Sequence, residues 1–254
     1  MNSRYSAHLL VIVVTAFFLL GASPGLTGDN FGELVNHSLK CGVSADSVEQ
    51  VKSLVSDSLV TEDQAVSLLS PLLKACVEQL PLFPFEDKLA EGISKRVVPL
   101  SIVRVLDKRL EAYRFARELL LTSSGRLDQD ALVVIGESVE KGVSKNDFES
   151  YAMAFEDQSP EIFSTGVTMV ALQGQVGFDY ALTRTILEHG VKRGVLSTDW
   201  RYFVRIILAA RKQDVSDKAI ANAAVSVILA DGAISDVMPE LGFTERSLAG
   251  ELKQ

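Results

Sequence analysis

The sequence predicts an all-α protein made of short capped helices, arranged as a duplicated array of helical hairpins that is either solenoid-like or a compact bundle. Three observations carry this prediction. A Gly-Val-Ser motif, typical of one helix ending and the next beginning, stands at residues 42–44 and again at 142–144. Apolar residues recur at helical spacing along most of the chain. No segment keeps the two-residue alternation of a strand.

The repeated motif has a physical reason. Glycine tolerates the left-handed backbone conformation that follows many helices. The serine can cap the next helix, and apolar residues such as Val143 and Phe148 can close over its start. A fainter copy lies at 92–94, and Gly190 extends the series of glycines at intervals of 50, 50 and 48 residues. The segment 89–95 also aligns with 187–193, which supports a duplication.

In the first half, a helix over 31–41 ends at Gly42, and Ser44 starts the next one. A capping box at Thr61–Gln64 begins a third helix. Ser70 and Pro71 predict that a new helix starts there, because proline is tolerated in a first turn. A short helix over 85–91 and a long one over 99–121, opened by Pro99, complete this half.

The second half repeats the plan after a polar break at 122–126, so we predict related halves over 29–125 and 126–254. Here the patterns predict helices that end before glycines or begin at Ser, Thr, Asp or Pro. Their expected ranges are 128–141, 145–155, 160–173, 178–189, 200–211 and 217–230, with a last helix from Thr244.

The first 28 residues predict a secretory signal peptide. Arg4 gives a positive start, Leu9–Ala22 is an apolar run, and small residues follow it. The run is too short to span a bilayer comfortably, which takes about 20 apolar residues. We therefore expect a cleaved signal peptide and an exported mature chain, periplasmic or secreted, and the alternative is a retained membrane anchor. In an oxidising compartment Cys41 and Cys76 can form a disulfide, and the alternative is two buried free thiols.

Composition and motifs limit the chemistry. The net charge of −8 argues against nucleic acid as the main partner, which would require a basic surface. No metal-binding, phosphate-loop or nucleophile motif occurs, so we expect no cofactor and no metal. Beyond the signal peptide His37 and His189 are far apart in sequence, and His189 fits a helix end, where a cation is favourable.

Two groups of residues are candidates for an interaction surface. Arg109 and Arg117 fall within the apolar sector of the long helix, so their side chains either reach out along their stems or meet an acidic partner or domain. The aromatic residues Trp200 and Tyr202 begin another helix. They belong either to the core or to an exposed groove that binds a peptide or a helix.

These observations favour a non-enzymatic interaction module of the cell envelope, with another envelope protein as its partner. One alternative is an enzyme that acts on envelope glycans or peptides with Glu137 as its acid, which would need a cleft and a raised pKa. Another is a membrane-surface protein that uses the basic segment 95–117, where seven Lys or Arg residues face two acidic ones.

Overall fold

Helices account for all the regular structure in the described part of this protein. The computed structural model describes residues 30–125 and 127–243, and within these ranges it contains α-helices and two short 3₁₀ helices but no strand. The all-α prediction is therefore confirmed. The signal peptide over 1–28 and the helix expected from Thr244 lie outside the described residues.

The first half contains five helices. They are α1 (Phe31–Cys41), α2 (Ala45–Ser56), α3 (Glu62–Val77), α4 (Phe83–Ser94) and α5 (Pro99–Ser124). The described part of the second half contains seven α-helices and the two 3₁₀ helices. They are α6 (Gln129–Glu140), α7 (Lys145–Ala154), α8 (Pro160–Gln175), α9 (Tyr180–Arg193), the 3₁₀ helix Thr198–Tyr202, α10 (Phe203–Arg211), α11 (Asp217–Leu229), the 3₁₀ helix Ile234–Asp236 and α12 (Val237–Glu240).

Polar side chains start several helices as the sequence predicts. Ser44 accepts a hydrogen bond from the amide of Ser47 at the start of α2, and Ser216 does the same at α11. At α3 the Thr61 hydroxyl and the Gln64 side chain satisfy each other's backbone amides. Ser144 stands at the start of α7, but its side chain makes no capping bond to the helix backbone.

Most helices also end in one way. A residue with left-handed φ follows the helix, and the amide of the next residue bonds back to a carbonyl of the last turn. Gly42 and Gly142 take this position after α1 and α6, with φ of 124° and 100°. Residues other than glycine take it after α2, α3, α4, α10 and α11, namely Ser58, Gln79, Arg96, Asp214 and Asp231.

Three details of the helix prediction are wrong. Pro71 does not start a helix but lies inside α3, where the Ser70 hydroxyl bonds to the carbonyl of Val66. Gly92 and Gly190 do not end helices, because they lie within α4 and α9, which continue to Ser94 and Arg193. At both positions the helix passes close to another part of the chain, so glycine serves packing there rather than a turn.

The same helix pairs pack together in both halves. Helix α3 contacts α1, α2, α4 and α5. Helix α8 likewise contacts α6, α7, α9 and the segment 198–211, which consists of the first 3₁₀ helix and α10 and takes the place of α5 in the second half. The halves join where α6 packs along α5. These contacts are compatible with an array of helical hairpins, and the buried apolar residues form one continuous core through it.

Candidate binding site at the α4–α5 corner

An apolar groove opens where α4 turns into α5, beside the end of α2. It consists of two adjoining depressions with volumes of about 660 and 230 Å³. They share Val97 and Ile102 as lining residues. The apolar residues that line this feature, called the α4–α5 groove below, include Leu59, Val60, Ile93, Val97, Val98 and Ile102.

The groove contains apolar side chains that a helix end normally buries. In the helix-ending motif described above, the apolar residue after the left-handed position usually packs back on the helix. The residues at this position are Val43, Leu59, Leu80, Val97, Val143, Phe178, Val195, Val215 and Phe243. Only Leu59 and Val97 in this set are exposed, by 67% and 40%, and both line the larger depression. Two helix ends thus leave their apolar residues uncovered at one place.

Close packing of α4 on α5 shapes the floor of the groove. A methyl group built on Gly92 would lie 2.8 Å from Cγ1 of Ile102, closer than real side chains approach. Glycine at this position therefore lets the first turns of α5 lie against α4. Because Gly92 and Ile102 both line the smaller depression, this contact fixes the distance between its walls.

Basic residues border the smaller depression. Lys88 and Lys95 both bind the carboxylate of Glu91, with N–O distances of 2.5 Å, and their hydrogen bonds lower the pKa of Glu91 to about 2. Arg96 adds a further positive charge at the larger depression. The start of α5 has no acidic residue in its first turn and no capping side chain, so its dipole adds positive potential. The border of the groove is therefore basic on a chain whose net charge is −8.

Arg109 lies elsewhere and is not available to a partner. Its side chain is buried, its Nε is 2.7 Å from Oε2 of Glu140 on α6, and its Nη1 donates to the carbonyl of Pro84 on α4. Of the two alternatives that the sequence leaves open, the side chain does not reach out to solvent but meets an acidic residue of another part of the chain. Its acidic partner belongs to the second half of the same chain, so Arg109 joins α4, α5 and α6.

Arg117 is half-buried on the same helix, and its Nε has no hydrogen-bond partner among the described residues. It lies near the ion pair between Arg114 and Glu78. The Arg114 hydrogen bond is the main cause that lowers the pKa of Glu78, and the charge of Arg117 contributes to the same shift. Arg109 and Arg117 therefore do not form one site.

The two aromatic candidates separate in the structure. Trp200 is only 1% exposed and packs against Phe203 in the core, which rules out its role in a surface groove. Tyr202 is partly exposed, but Arg201 and Arg205 stack on its ring at 4.8 and 4.6 Å. The sequence could not separate the two residues, because a 3₁₀ helix over Thr198–Tyr202 replaces the regular helix expected there.

Cys41 and Cys76 form a disulfide that joins α1 to α3. It closes a loop with a sequence separation of 35 residues, for which chain entropy predicts a stabilisation of about 3–4 kcal/mol. Among the described residues no cluster of His, Cys, Asp and Glu could hold a metal ion. Glu137 is partly exposed and lies 3.4 Å from Lys141, which differs from the apolar pocket that a glycosidase acid requires.

The sequence did not predict the α4–α5 groove as a binding site. Leu59 and Val97 look like ordinary helix-end residues, and only the basic segment that begins at Lys95 pointed to this region. Comparison of the chain with protein-family models, curated proteins and solved structures finds no match. The site therefore rests on its geometry and charge.

Proposed function

We propose that this chain is an exported, non-enzymatic interaction module that binds another protein of the cell envelope in the α4–α5 groove. The observation that carries the proposal is the joint exposure of Leu59 and Val97, two apolar helix-end residues that line one depression. Clustered apolar surface of this kind on a folded chain is typical of an interaction site.

The shape of the groove favours a protein over a lipid surface. Its two depressions are concave and can receive separate side chains, whereas an interfacial membrane site presents a protruding apolar face. In the described part of the chain, no helix is both long and apolar enough to cross a membrane.

The proposed export rests on the sequence of residues 1–28 and agrees with the disulfide. Structural disulfides persist chiefly in oxidising compartments, and the Cys41–Cys76 bridge is a structural one between two packed helices. The non-enzymatic assignment rests on the missing catalytic motifs and on the surroundings of Glu137, which is paired with a lysine.

Photo-crosslinking tests the proposal in the cells that produce the protein. Benzoylphenylalanine replaces Leu59 or Val98 in separate variants, and Leu100 or Met153 in matched controls. Both control residues are exposed, by 62% and 78%, and neither lines the groove. We expect one protein adduct from the groove positions that the control positions do not give.

The crosslinks can also contradict the proposal. Adducts of equal yield from groove and control positions would show random collisions, and the absence of a protein adduct at Leu59 and Val98 would remove the groove as a protein-binding site. Retention of residues 1–28 with cytoplasmic recovery of the protein, measured by intact mass after fractionation, would contradict the proposed export.

A further inference from the structure

The α4–α5 corner has a counterpart in the second half, at the end of α9. Gly92 corresponds to Gly190, each within its helix. The residues four positions later, Arg96 and Gly194, both adopt left-handed φ, of 54° and 70°. The next amides bond back to the two glycines, with N–O distances of 3.0 Å for Val97 and 3.1 Å for Val195. The two segments that the sequence aligns, 89–95 and 187–193, therefore have the same backbone geometry around an internal glycine.

A helix covers the second corner. Helix α11 packs on α9, and Cδ1 of Ile228 lies 3.7 Å from a methyl group built on Gly190. Just beyond the end of α11, Asp231 accepts hydrogen bonds from Arg193, with an Nε–Oδ1 distance of 3.0 Å. Arg193 corresponds to Lys95 of the first half. The second corner thus receives an apolar helix face together with an acidic residue at its C-terminal end.

The first corner lacks such a cover in the described structure. Val98 is 64% exposed, whereas Leu196, which corresponds to it, is 7% exposed. Lys95 bonds to Glu91 of its own helix. Helix α6 follows α5 as α11 follows α10, yet α6 packs along α5, and α4 packs chiefly against α2, α3 and α5. The surface that α11 covers in one half is open in the other.

We infer that the α4–α5 groove binds an α-helix of the partner protein that resembles α11: one apolar face, and an acidic residue at the C-terminal end that pairs with Lys95. This inference rests on the proposed function and specifies the partner. The second half supplies the template, since the same corner there holds such a helix through Ile228 and Asp231.

A helix also fits the groove better than an extended segment. An extended segment gains affinity by adding to a sheet edge, and the described residues include no strand. A helix satisfies its own backbone hydrogen bonds and presents side chains one or two turns apart to adjoining depressions. The basic border formed by Lys88, Lys95 and Arg96 complements an acidic residue on that helix.

The test measures binding of a peptide with the sequence of residues 216–232 to the purified mature chain, by fluorescence anisotropy. This peptide carries α11 and Asp231, and a cross-link between side chains on its polar face holds it helical. We expect Ile228→Asp in the peptide to weaken binding about tenfold or more. Asp231→Lys should weaken it about three- to fivefold, and Lys95→Glu in the protein should restore most of that loss.

Matched variants of the protein locate the binding. Leu59→Glu and Val98→Glu should each weaken binding about tenfold. Leu100→Glu, at an exposed position in the first turn of α5 that does not line the groove, should change binding by less than about twofold. Unfolding in urea shows that each variant is folded. Peptide binding that survives both groove substitutions would mean exchange with α11 in the second half and would overturn the inference.

Three other outcomes overturn the inference. Vesicles of phosphatidylcholine and phosphatidylglycerol that displace the peptide would identify a lipid surface as the occupant. Self-association in sedimentation that Val98→Glu abolishes would identify a second copy of this chain. If the peptide does not bind while the Leu59 photo-crosslink captures a protein, the partner is not an α11-like helix, and the proposed function stands without this inference.

Discussion

Leu196 is buried in the corner after α9, where its Cδ1 and Cδ1 of Ile228 on α11 lie 3.2 and 3.7 Å from a methyl group built on Gly190. The corresponding residue of the α4–α5 corner, Val98, is largely exposed. Both corners have glycine inside the helix, a left-handed residue after it and a valine whose amide bonds back to that glycine. Local sequence therefore builds the same corner twice. What differs is the element that packs on top, and this comparison shows that a repeated motif does not fix the exposure of its side chains.

The length of the following helix explains the difference. Helix α5 is an unbroken helix of 26 residues, which corresponds to about 39 Å. It leads the chain far from the α4 corner before α6 begins. In the second half a five-residue 3₁₀ helix and the nine-residue α10 take its place, so α11 returns to α9. Whether another helix of the same chain covers the corner thus depends on whether the helix that follows it is continuous, as α5 is, or divided, as in the second half.

The largest effect is expected from the ion pair between Arg109 and Glu140, which holds α6 along α5. Arg109→Ala should lower the free energy of unfolding by about 3–5 kcal/mol, because it leaves the carboxylate of Glu140 without its buried partner. Urea unfolding measures this change. Arg114→Ala is the control on the same helix, since its ion pair with Glu78 is partly exposed and is worth no more than about 1 kcal/mol. Equal losses in the two variants would show that Arg109 has no special role in joining the halves.

The next prediction compares the two corners directly. Leu196→Glu should destabilise the protein by about 3 kcal/mol or more, because it places a carboxylate without a partner at a buried position. Val98→Glu at the corresponding position should change the free energy of unfolding by less than about 0.5 kcal/mol. Thermal and urea unfolding of the two variants measure the contrast. A large loss for Val98→Glu would mean that the first corner is covered in solution.

A smaller effect is expected at the left-handed positions. Arg96→Gly should stabilise the protein by about 0.5–1 kcal/mol, since glycine adopts φ of 54° without the steric cost that arginine carries. The opposite change, Gly194→Arg, should cost about 1–2 kcal/mol at φ of 70°. Melting temperatures should move by a few degrees in opposite directions. Shifts of the same sign would contradict the equivalence of the two positions.

The smallest effect concerns charge at the open corner. The hydrogen bonds from Lys88 and Lys95 hold the pKa of Glu91 at about 2, below the usual 4.5. A lowered pKa in the folded state means that the carboxylate stabilises the protein above pH 4.5, and this contribution is lost as the pH falls through about 2. Lys95→Gln should raise the pKa of Glu91 toward 4.5, which NMR of the side-chain carboxyl carbon can follow. An unchanged titration would show that Lys95 does not contribute to the lowered pKa of Glu91.

Much of the helical pattern follows from the sequence because its causes are local. The Thr61–Gln64 capping box and the Ser44 cap join groups within three residues of each other. Left-handed glycines at 42 and 142 end helices for a steric reason that their own residue supplies. Prediction failed at Pro71 and Gly190, where the helix continues through residues that usually interrupt one, because packing outweighs local preference.

The sequence by itself determined the all-α class, most helix limits and the absence of known catalytic motifs. Only the tertiary structure decided which side chains are accessible. Arg109 is buried and pairs with Glu140, 31 residues away in sequence. Trp200 lies in the core, which is one of the two alternatives that the sequence leaves open. The α4–α5 groove exists because α5 carries the chain away from its own first turn. Exposure depends on neighbours that are distant in sequence, and the spacing of residues along one helix does not contain that information.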